Sequence, residues 1–567
     1  MRKLLKQKPE PEYELNFFVI YLTKMNYLIK KTVPAICIIA FIALVDTGYI
    51  YGQESVAGMP EIVQKDGRYA LFVDGEPFFI FGGQSHNSGT WPKMLPMVWS
   101  TIENIHANTL EIPIYWEQVE PQPGQFDFSM IQMLLDQARQ RDKRLVLLWF
   151  ATWKNGSNHY MPGWMKLDSK RYPNMIGKEG KFVDSPSPHT KAAMEADAKA
   201  FTRVMEYLKE ADPQHTVILV QVQNEPGSWY SVRDYSKVAQ ELFDQPVPEA
   251  LLVPDVLKEL GAPADAKGTW KEVFGDDADE YFQAWSVASY IEYVAAAGKK
   301  VNPLPLYVNA ALRDPLTDPD PSTYESGGPT DNVIPIWKVA APSIDLLAPD
   351  IYLRGTERVL KVIDLYSRDD NALLVPEIGG EVKYLYKVLE KGIGFAPFGV
   401  DKIRPGATGG PDERNAPLAQ EYELLAPMMR QLAKWGFEGR ISSVVEGEDH
   451  AEQRIDLGSW EAVITFGPGR RFMPPREDEV QRSATGKAMI IKLDENEFIA
   501  IGTGCRFTFN PAGRNEGKEW QYLKVKEGYY EDGDFQLLRE LNGDETDWGG
   551  PYIGSSPSIL HITLVAR

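Results

Sequence analysis

The sequence predicts an α/β fold in which a (β/α)8 TIM barrel is followed by a C-terminal β-sandwich domain. Between about residue 70 and residue 435, short apolar runs alternate with helical patterns, which is typical of a parallel sheet. After Phe437 apolar and polar residues alternate between Gly-, Asp- and Asn-rich turns, which is typical of a β-sandwich. The chain has 567 residues, more than one hydrophobic core supports, so at least two domains are expected.

Eight nearly continuous apolar runs are the candidate barrel strands, because strands covered on both faces have this pattern. They span residues 78–82, 108–115, 145–150, 217–223, 305–309, 345–351, 373–376 and 392–397. Helical patterns fall between them at residues 99–105, 130–141, 190–210, 284–297, 357–367 and 382–389, and residues 412–435 would form the eighth helix. Eight strands that alternate with helices at this spacing predict a TIM barrel with insertions.

Two further segments complete the predicted organisation. The largest insertion, residues 244–279, lies between the fourth strand and its helix. Strands of the C-terminal domain are expected at residues 441–446, 462–466, 488–493, 497–502, 506–510, 522–527 and 559–565. The predicted domains are an N-terminal extension with a signal peptide (1–52), the barrel (53–436) and the β-sandwich (437–567).

The N-terminus resembles a secretory signal. Lys30 and Lys31 precede an apolar run at residues 33–45, which Asp46 closes. Thirteen apolar residues are too few to span a bilayer comfortably, so we expect cleavage near Gly52 and no membrane span in the mature chain. The expected location is secreted or periplasmic.

Charge and motifs exclude several classes of partner. The formal net charge of −20 opposes binding to the phosphate backbone, so no nucleic-acid partner is expected. None of the seven histidines is paired at a metal-ligand spacing, and no Gly-rich phosphate loop follows a strand. We therefore expect no metal and no cofactor, whereas the oligomeric state stays open. Cys505 is expected to be a buried free thiol.

Two glutamates stand at the ends of predicted barrel strands, where the active sites of TIM barrels lie. The fourth strand leads into Asn224-Glu225-Pro226, and the seventh leads into Pro376 and Glu377. These two strands lie almost opposite each other, so both side chains can converge over the barrel. Facing carboxylates are what glycosidic cleavage requires, one as proton donor and one as nucleophile. A structural salt bridge at each strand end is the alternative interpretation.

Four other residues at strand ends are candidates for contacts with a sugar. The amide of Asn224 can bond a sugar hydroxyl, and Asn309 ends the fifth strand. Trp153, after the third strand, either forms a stacking wall or packs beneath a loop. Tyr352, after the sixth strand, either orients the nucleophile or packs in the core.

Asn224-Glu225-Pro226 on strand four and Glu377 on strand seven resemble the clan A glycoside hydrolases. The stretch NTLEIPIYWEQVEPQPGQFDF at residues 108–128 looks like β-galactosidases of families 35 and 42, with family 35 as the closer match. The resemblance implies that Glu225 is the acid/base, Glu377 is the nucleophile and Glu120 binds sugar hydroxyls. It extends over about residues 70–435.

These residues together predict a retaining, exo-acting glycoside hydrolase that releases a terminal β-linked sugar from its carbohydrate substrate, an oligo- or polysaccharide. The resemblance implies that this sugar is galactose. Two alternatives stay open at this point. The same barrel can act on another β-linked sugar, as a glucosidase, mannanase or arabinosidase does. It can also be a glycan-binding protein without catalysis, although the presence of both glutamates argues against this.

Overall fold

The structure is a computed structural model that describes residues 58–401, 413–467 and 483–567. The predicted signal peptide and N-terminal extension, residues 1–52, lie outside the described residues. The described chain begins with a small antiparallel sheet of β1 (Glu61–Lys65), β2 (Arg68–Val73) and β3 (Glu76–Phe78). Leu71, Val73 and Phe78 of this sheet are buried in one cluster with inward-facing barrel residues such as Leu148 and Leu346. This sheet therefore covers the amino-terminal end of the barrel.

The barrel region contains eleven strands in the described residues. In chain order they are β4 (Ile80–Gln84), β5 (Thr109–Tyr115), β6 (Arg144–Lys154), β7 (Asn174–Ile176), β8 (Phe182–Pro186), β9 (Val217–Asn224), β10 (Leu306–Ala311), β11 (Leu346–Ile351), β12 (Leu373–Val375), β13 (Glu377–Ile378) and β14 (Gly392–Phe395). Of these, β7 and β8 form a separate antiparallel hairpin, and the other nine pair in parallel.

The nine parallel strands close into a barrel of eight positions, because the seventh position is shared by two strands. β12 pairs with β14 on one side, and β13 pairs with β11 on the other. Pro376 separates β12 from β13 and has no N–H for a ladder hydrogen bond. β14 in turn pairs with β4, which closes the ring. Every residue of β5 and β9 is buried, as expected for strands between a filled interior and a helical layer.

Helices surround this barrel. They are α1 (Leu95–Asn104), α2 (Trp116–Val119), α3 (Ser129–Gln140), α4 (Gly163–Lys166), α5 (Lys191–Ala211), α6 (Lys237–Phe243), α7 (Pro254–Glu259), α8 (Trp270–Phe274), α9 (Ala278–Lys299), α10 (Ile334–Ala340), α11 (Thr356–Tyr366), α12 (Leu385–Lys391), α13 (Ala416–Leu425) and α14 (Met429–Phe437). The long helix α5 buries Phe201, Val204, Met205 and Leu208, whose spacing of three and four residues forms one apolar face.

The C-terminal region consists of two antiparallel sheets. Its strands are β15 (Ile441–Val445), β16 (Gln453–Asp456), β17 (Trp460–Phe466), β18 (Lys487–Lys492), β19 (Glu497–Thr503), β20 (Cys505–Pro511), β21 (Trp520–Glu531), β22 (Asp534–Glu540), β23 (Tyr552–Ile553) and β24 (Ser558–Ala566), and a short helix, α15 (Asp544–Asp547), precedes β23. Six strands pair in the order β15-β18-β19-β24-β21-β22, and four pair in the order β16-β17-β20-β23.

The six-stranded sheet is covered on both faces. In β18, Met489 and Ile491 join the cluster that contains the barrel helices, whereas Ala488 and Ile490 join the core shared with the four-stranded sheet. Successive side chains of a strand point to opposite faces, so each strand contributes to two cores. Cys505 is free and buried, as predicted.

The predicted fold class, a TIM barrel followed by a β-sandwich, is confirmed. All eight predicted barrel strands exist, whereas the helix α10 and the sheet β1–β3 were not predicted. Short helices α7 and α8 lie within the insertion at residues 244–279. The domain boundaries after residues 52 and 436 stay predictions. None of the helices in the described parts of the chain combines the length and apolar character needed to cross a bilayer.

Candidate active site

A cavity of about 510 Å3 opens at the carboxyl ends of the barrel strands. This volume lies within the range of pockets that bind small molecules. The cavity is lined by three carboxyl side chains, Glu225, Asp350 and Glu377, and by apolar groups that include Trp229 and Phe398. It therefore offers both reactive groups and apolar surface to a polar organic ligand.

Glu377 is held by three hydrogen-bond donors from three other strand ends. Gln84 and Asn224 donate their amide groups to Oε1 at 3.1 and 3.3 Å. The Tyr352 hydroxyl donates to Oε2 at 2.7 Å. Together these three bonds fix the orientation of the carboxylate.

Glu225 lies at the end of β9 in a strained backbone conformation. Its φ is +42°, and that of Gln223 is +66°, a left-handed region that non-glycine residues rarely adopt. The Glu225 N–H donates to Asn309 Oδ1 at 2.9 Å, and Asn309 donates its amide to Asp350 Oδ2 at 2.6 Å. The buried amide of Asn309 thus holds the backbone of Glu225 in place.

The carboxyl groups of Glu225, Asp350 and Glu377 each have an oxygen within 4.8 Å of an oxygen of the other two. Burial and the nearby Glu377 charge raise the pKa of Glu225 to about 7. Burial, followed by the charges of Glu377 and Glu225, raises the pKa of Asp350 well above its usual range. A side-chain hydrogen bond joins Glu225 and Asp350, so these two groups titrate as a pair that retains protons near neutral pH.

This carboxylate triplet is also the set of described residues whose geometry could hold a metal ion. Carboxylate oxygens are ligands that hard cations accept. Glu225 and Asp350 retain protons, and a bound cation would compete with these protons for the carboxyl oxygens. The absence of a metal was predicted from the spacing of histidines, and this spacing carries no information on a site built from carboxylates.

Lys154 reaches the site because the end of β6 departs from regular pairing. Trp149 pairs with Val222 and Lys154 pairs with Asn224, so the register shifts between these two positions. Such irregularities are common beside active sites, where they redirect side chains. The Lys154 ammonium donates to Asn224 Oδ1 at 2.6 Å and lies 3.9 Å from Glu225 Oε2.

Two fully buried glutamates, Glu111 and Glu325, lie close to Glu377 and Glu225. Burial and the charge of Glu225 raise the pKa of Glu325 well above its usual range, and burial and the charge of Glu377 do the same for Glu111. Among the described residues, none forms a hydrogen bond to the carboxyl oxygens of either side chain. Burial without a hydrogen-bond partner thus favours the neutral form of both carboxyl groups.

The structure brings five of the seven predicted site residues together. Glu225, Glu377 and Tyr352 line the cavity, and Tyr352 orients Glu377 as one of the two interpretations suggested. Asn224 and Asn309 are fully buried and bond to Glu377 and to the Glu225 backbone from behind the cavity wall. Their roles in binding a sugar stay predictions.

The structure does not bring Glu120 or Trp153 to the cavity. The Glu120 carboxylate accepts hydrogen bonds from Trp116 Nε1 at 2.9 Å and from the Gly124 N–H at 2.7 Å, so it stabilises its own loop. Trp153 is fully buried, packs edge-on against Tyr290 at 4.8 Å and is turned away from the cavity by the irregular end of β6. The packing interpretation is correct for Trp153.

Three contributors to the site were not among the predicted residues: Gln84, Lys154 and Asp350. Each stands at or next to the end of a barrel strand, as Glu225 and Glu377 do. Reading every strand end for polar side chains would have found them, since parallel strands present their carboxyl ends at one rim.

Comparison with protein-family models gives two matches. Residues 91–260 match the model of glycoside hydrolase family 42, described as β-galactosidase. This segment of the chain is similar to that family. The matching model is that of family 42, whereas the motifs predicted family 35 as the closer match. The expectation that family 35 is closer is not supported. Residues 418–551 match a model described as a domain of unknown function, DUF5597.

A curated β-galactosidase of Xanthomonas manihotis is 25% identical over an alignment of 248 residues, and the match covers 37% of this chain. The chain spans 38% of the length of that relative. Among solved structures, a β-galactosidase from Bacillus circulans sp. alkalophilus has a TM-score of 0.45 at 14% identity and covers 62% of this chain and 57% of its own. The catalytic domain of a β-amylase from Paenibacillus polymyxa has a TM-score of 0.44 at 12% identity and covers 60% of this chain and 98% of its own.

Proposed function

We propose that the protein is a retaining β-glycosidase that releases a terminal β-linked sugar, and that this sugar is galactose. One observation supports this more than any other. Glu225, whose pKa is raised to about 7, and Glu377, which is held by three donors, meet from the fourth and seventh barrel strands with oxygens within 4.8 Å of each other. Retaining enzymes place their two carboxyl groups about 5–5.5 Å apart, whereas inverting enzymes leave space for a water molecule between them.

The first chemical step would use both glutamates at once. Glu377 attacks the anomeric carbon with a carboxylate oxygen and forms a glycosyl ester. The bond between the anomeric carbon and the leaving oxygen breaks, and Glu225 transfers its proton to that oxygen. The donors Gln84, Asn224 and Tyr352 hold the Glu377 carboxylate during this step.

The second step would restore the enzyme. Once Glu377 is esterified its negative charge is gone, which removes one of the two causes that raise the pKa of Glu225. Glu225, now a carboxylate, takes a proton from water, and the water oxygen attacks the anomeric carbon. The ester bond breaks, Glu377 leaves as a carboxylate, and two inversions give net retention.

The identity of the sugar rests on different grounds from the mechanism. The family-model match and the curated relative are both described as β-galactosidases, which favours galactose. A glucosidase, mannanase or arabinosidase would use the same pair of glutamates. A glycan-binding protein without catalysis is disfavoured, because such a protein has no use for a proton retained on Glu225.

A panel of aryl β-glycosides with galactosyl, glucosyl, mannosyl and arabinosyl groups tests the proposed function. We expect hydrolysis of the galactoside and little turnover of the others. Glu225→Ala should lose roughly 10²- to 10⁴-fold in kcat on substrates with poor leaving groups. Azide should restore part of the rate and yield the β-glycosyl azide. Absence of turnover with every member of the panel contradicts the proposal.

We also propose that the protein is exported. Lys30, Lys31 and the apolar run at residues 33–45 support this proposal. N-terminal sequencing of the protein from its native host should find a mature chain that starts near Gln53. Recovery of chains that still contain Lys30 contradicts it.

A further inference from the structure

A second depression, a groove of about 1010 Å3, adjoins the candidate active-site cavity. Trp229 lines both, and Asn155 of the cavity is followed two residues later by Ser157 of the groove. The walls of the groove come from the β7–β8 hairpin, from the loop after β9 and from the turn at residues 320–322. The groove has about twice the volume of the cavity that receives one sugar.

Two aromatic side chains stand exposed in this groove. Tyr230 is 91% exposed and Phe182 is 69% exposed, although both are large hydrophobic residues. Exposed apolar surface rimmed by polar groups is typical of ligand grooves. Tyr230 also has a φ of +65°, a strained conformation that persists where the surroundings hold it. The exposed surface of each aromatic side chain can contact the C–H face of a sugar ring.

The groove walls are held rigidly to the barrel rim. Ser157 Oγ donates to the Asp184 carbonyl oxygen at 2.7 Å, and the Tyr235 N–H donates to the Ile176 carbonyl oxygen at 2.7 Å. The Ser228 N–H donates to the Ser326 carbonyl oxygen at 2.9 Å. Walls fixed in this way form a binding surface before the ligand arrives, so little ordering cost opposes binding.

The charge of the groove selects against anionic ligands. Two lysines, Lys178 and Lys181, line it together with six carboxyl groups. Arg233 pairs with Asp279 at 2.7 Å and Lys271 pairs with Asp276 at 3.1 Å. The four other carboxyl groups outnumber the two lysines, so the balance is still negative. Such a surface repels uronate and sulfate groups. A neutral ligand is therefore favoured.

The position of Glu225 indicates which part of a substrate the groove receives. The proton donor of a glycosidase must reach the leaving oxygen, so the leaving group lies on its side of the cavity. The loop that begins at Glu225 continues directly into Trp229 and Tyr230 of the groove. A chain attached through the leaving oxygen can thus pass Trp229 and enter the groove.

We propose that this groove binds the leaving-group side of a neutral β-linked oligosaccharide, with about two sugar units between Trp229, Tyr230 and Phe182. The inference rests on the proposed function, because it assigns the cavity to the sugar that is released. The natural substrate class is then a neutral oligosaccharide chain of at least three units, rather than a disaccharide or a small glycoside.

The test compares two substrates of the sugar that the aryl panel selects. The β-glycosyl fluoride has no leaving-group sugar and leaves the groove empty, whereas a neutral β-linked trisaccharide fills it. We expect Tyr230→Ala and Phe182→Ala to lower kcat/KM for the trisaccharide by roughly three- to tenfold. Neither variant should change kcat/KM for the fluoride. Tyr293→Ala is the control, because Tyr293 is 46% exposed on α9 and does not line the groove.

The outcomes separate the groove from the proposed function. If both variants hydrolyse the trisaccharide as the wild type does, and the fluoride is also hydrolysed, the proposed role of the groove is wrong and the proposed glycosidase function stands. The proposed role of the groove is also wrong if a trisaccharide with a uronate at its leaving-group end is hydrolysed faster than the neutral trisaccharide. If no glycosyl fluoride is hydrolysed, the proposed function fails. Calorimetric binding of the trisaccharide, weakened by Tyr230→Ala, would then still support the groove, and absence of binding would overturn it.

Discussion

The protonation of Glu225 depends on a few neighbouring groups. Burial and Glu377 raise its pKa, whereas Lys154 and the hydrogen bond with Asp350 lower it. The result, a pKa of about 7, matches the requirement for a general acid that must keep its proton near neutral pH and still release it. Lys154 thus limits how far burial can raise this pKa.

This balance predicts the pH dependence of the reaction. Because the acid form of Glu225 is needed for the first step, kcat/KM should fall as the pH rises through about 7. Lys154→Gln removes the positive charge 3.9 Å from Glu225 Oε2 and keeps an amide donor for Asn224. The descending limb should then move upward by about one pH unit.

Lys237→Gln on α6 is the control for this experiment, since Lys237 is 90% exposed and pairs loosely with Glu241 at 3.8 Å. Its pH profile of kcat/KM should equal that of the wild type. A descending limb in Lys154→Gln that stays in place or moves to lower pH contradicts the assigned role of Lys154.

Gly156 shows how the turn after β6 shapes the site. It has a φ of +69°, and a Cβ atom there would lie 2.4 Å from Glu325 Oε1 and 3.1 Å from Trp229 Cδ1. Only glycine allows the turn to pass between the buried Glu325 and the Trp229 ring. The turn follows Lys154 directly, so its position also affects the cation beside Glu225.

We predict that Gly156→Ala lowers kcat/KM roughly tenfold to hundredfold, because it displaces Trp229 and the end of β6. Gly261→Ala is the matched control, with a φ of +72° and no atom within 4 Å of the added Cβ. Both variants should lose about 1 kcal/mol of stability through backbone strain, but only Gly156→Ala should lose activity. Equal activity of the two variants would contradict the crowding argument.

The strands could be predicted from sequence more fully than their ends. The apolar pattern of a buried strand is recognisable even where its pairing is locally irregular, so all eight barrel strands could be predicted. α10 was missed because it is short and begins with Ile334 and Pro335. The register shift in β6 depends on tertiary contacts. For this reason the sequence could not show that Trp153 packs against Tyr290, away from the cavity, and that Lys154 reaches the site.

The site residues that stand at the carboxyl ends of barrel strands could be predicted from the sequence. Glu225 and Glu377 follow from strand ends alone, and Tyr352 follows from the same position on the sixth strand. Glu120 lies in a loop whose path is set by hydrogen bonds to Trp116 and Gly124, and no sequence pattern encodes that path. The groove beside Trp229 joins three distant segments and was likewise not foreseeable.

The barrel and the C-terminal region share one continuous hydrophobic cluster. Met489, Ile491, Ile499 and Ile501 of the six-stranded sheet belong to the same cluster as the barrel helices. A buried ion pair also crosses this interface, since Lys487 lies 2.8 Å from Glu421 of α13 and both side chains are almost fully buried. We therefore expect the two regions to unfold together.

Lys487→Met tests this coupling. It leaves the buried Glu421 carboxylate without its cation, which should cost about 3–5 kcal/mol in the free energy of unfolding measured with urea. The double variant Lys487→Met with Glu421→Leu should recover part of this loss, because no charge is then left buried. Lys237→Met on the surface should change stability little. Two separate transitions in the wild type, or no loss in Lys487→Met, would contradict the coupling.

In the proposed mechanism, Glu377 forms a covalent bond to the released sugar. A 2-deoxy-2-fluoro-β-galactosyl fluoride slows both steps but keeps a good leaving group, so the glycosyl ester should accumulate. Mass spectrometry of a peptic digest should find the fluorosugar on one peptide, with fragmentation placing it on Glu377. Glu377→Gln should not be labelled. Labelling of another residue, or release of the α-anomer as the first product in NMR, would contradict the account.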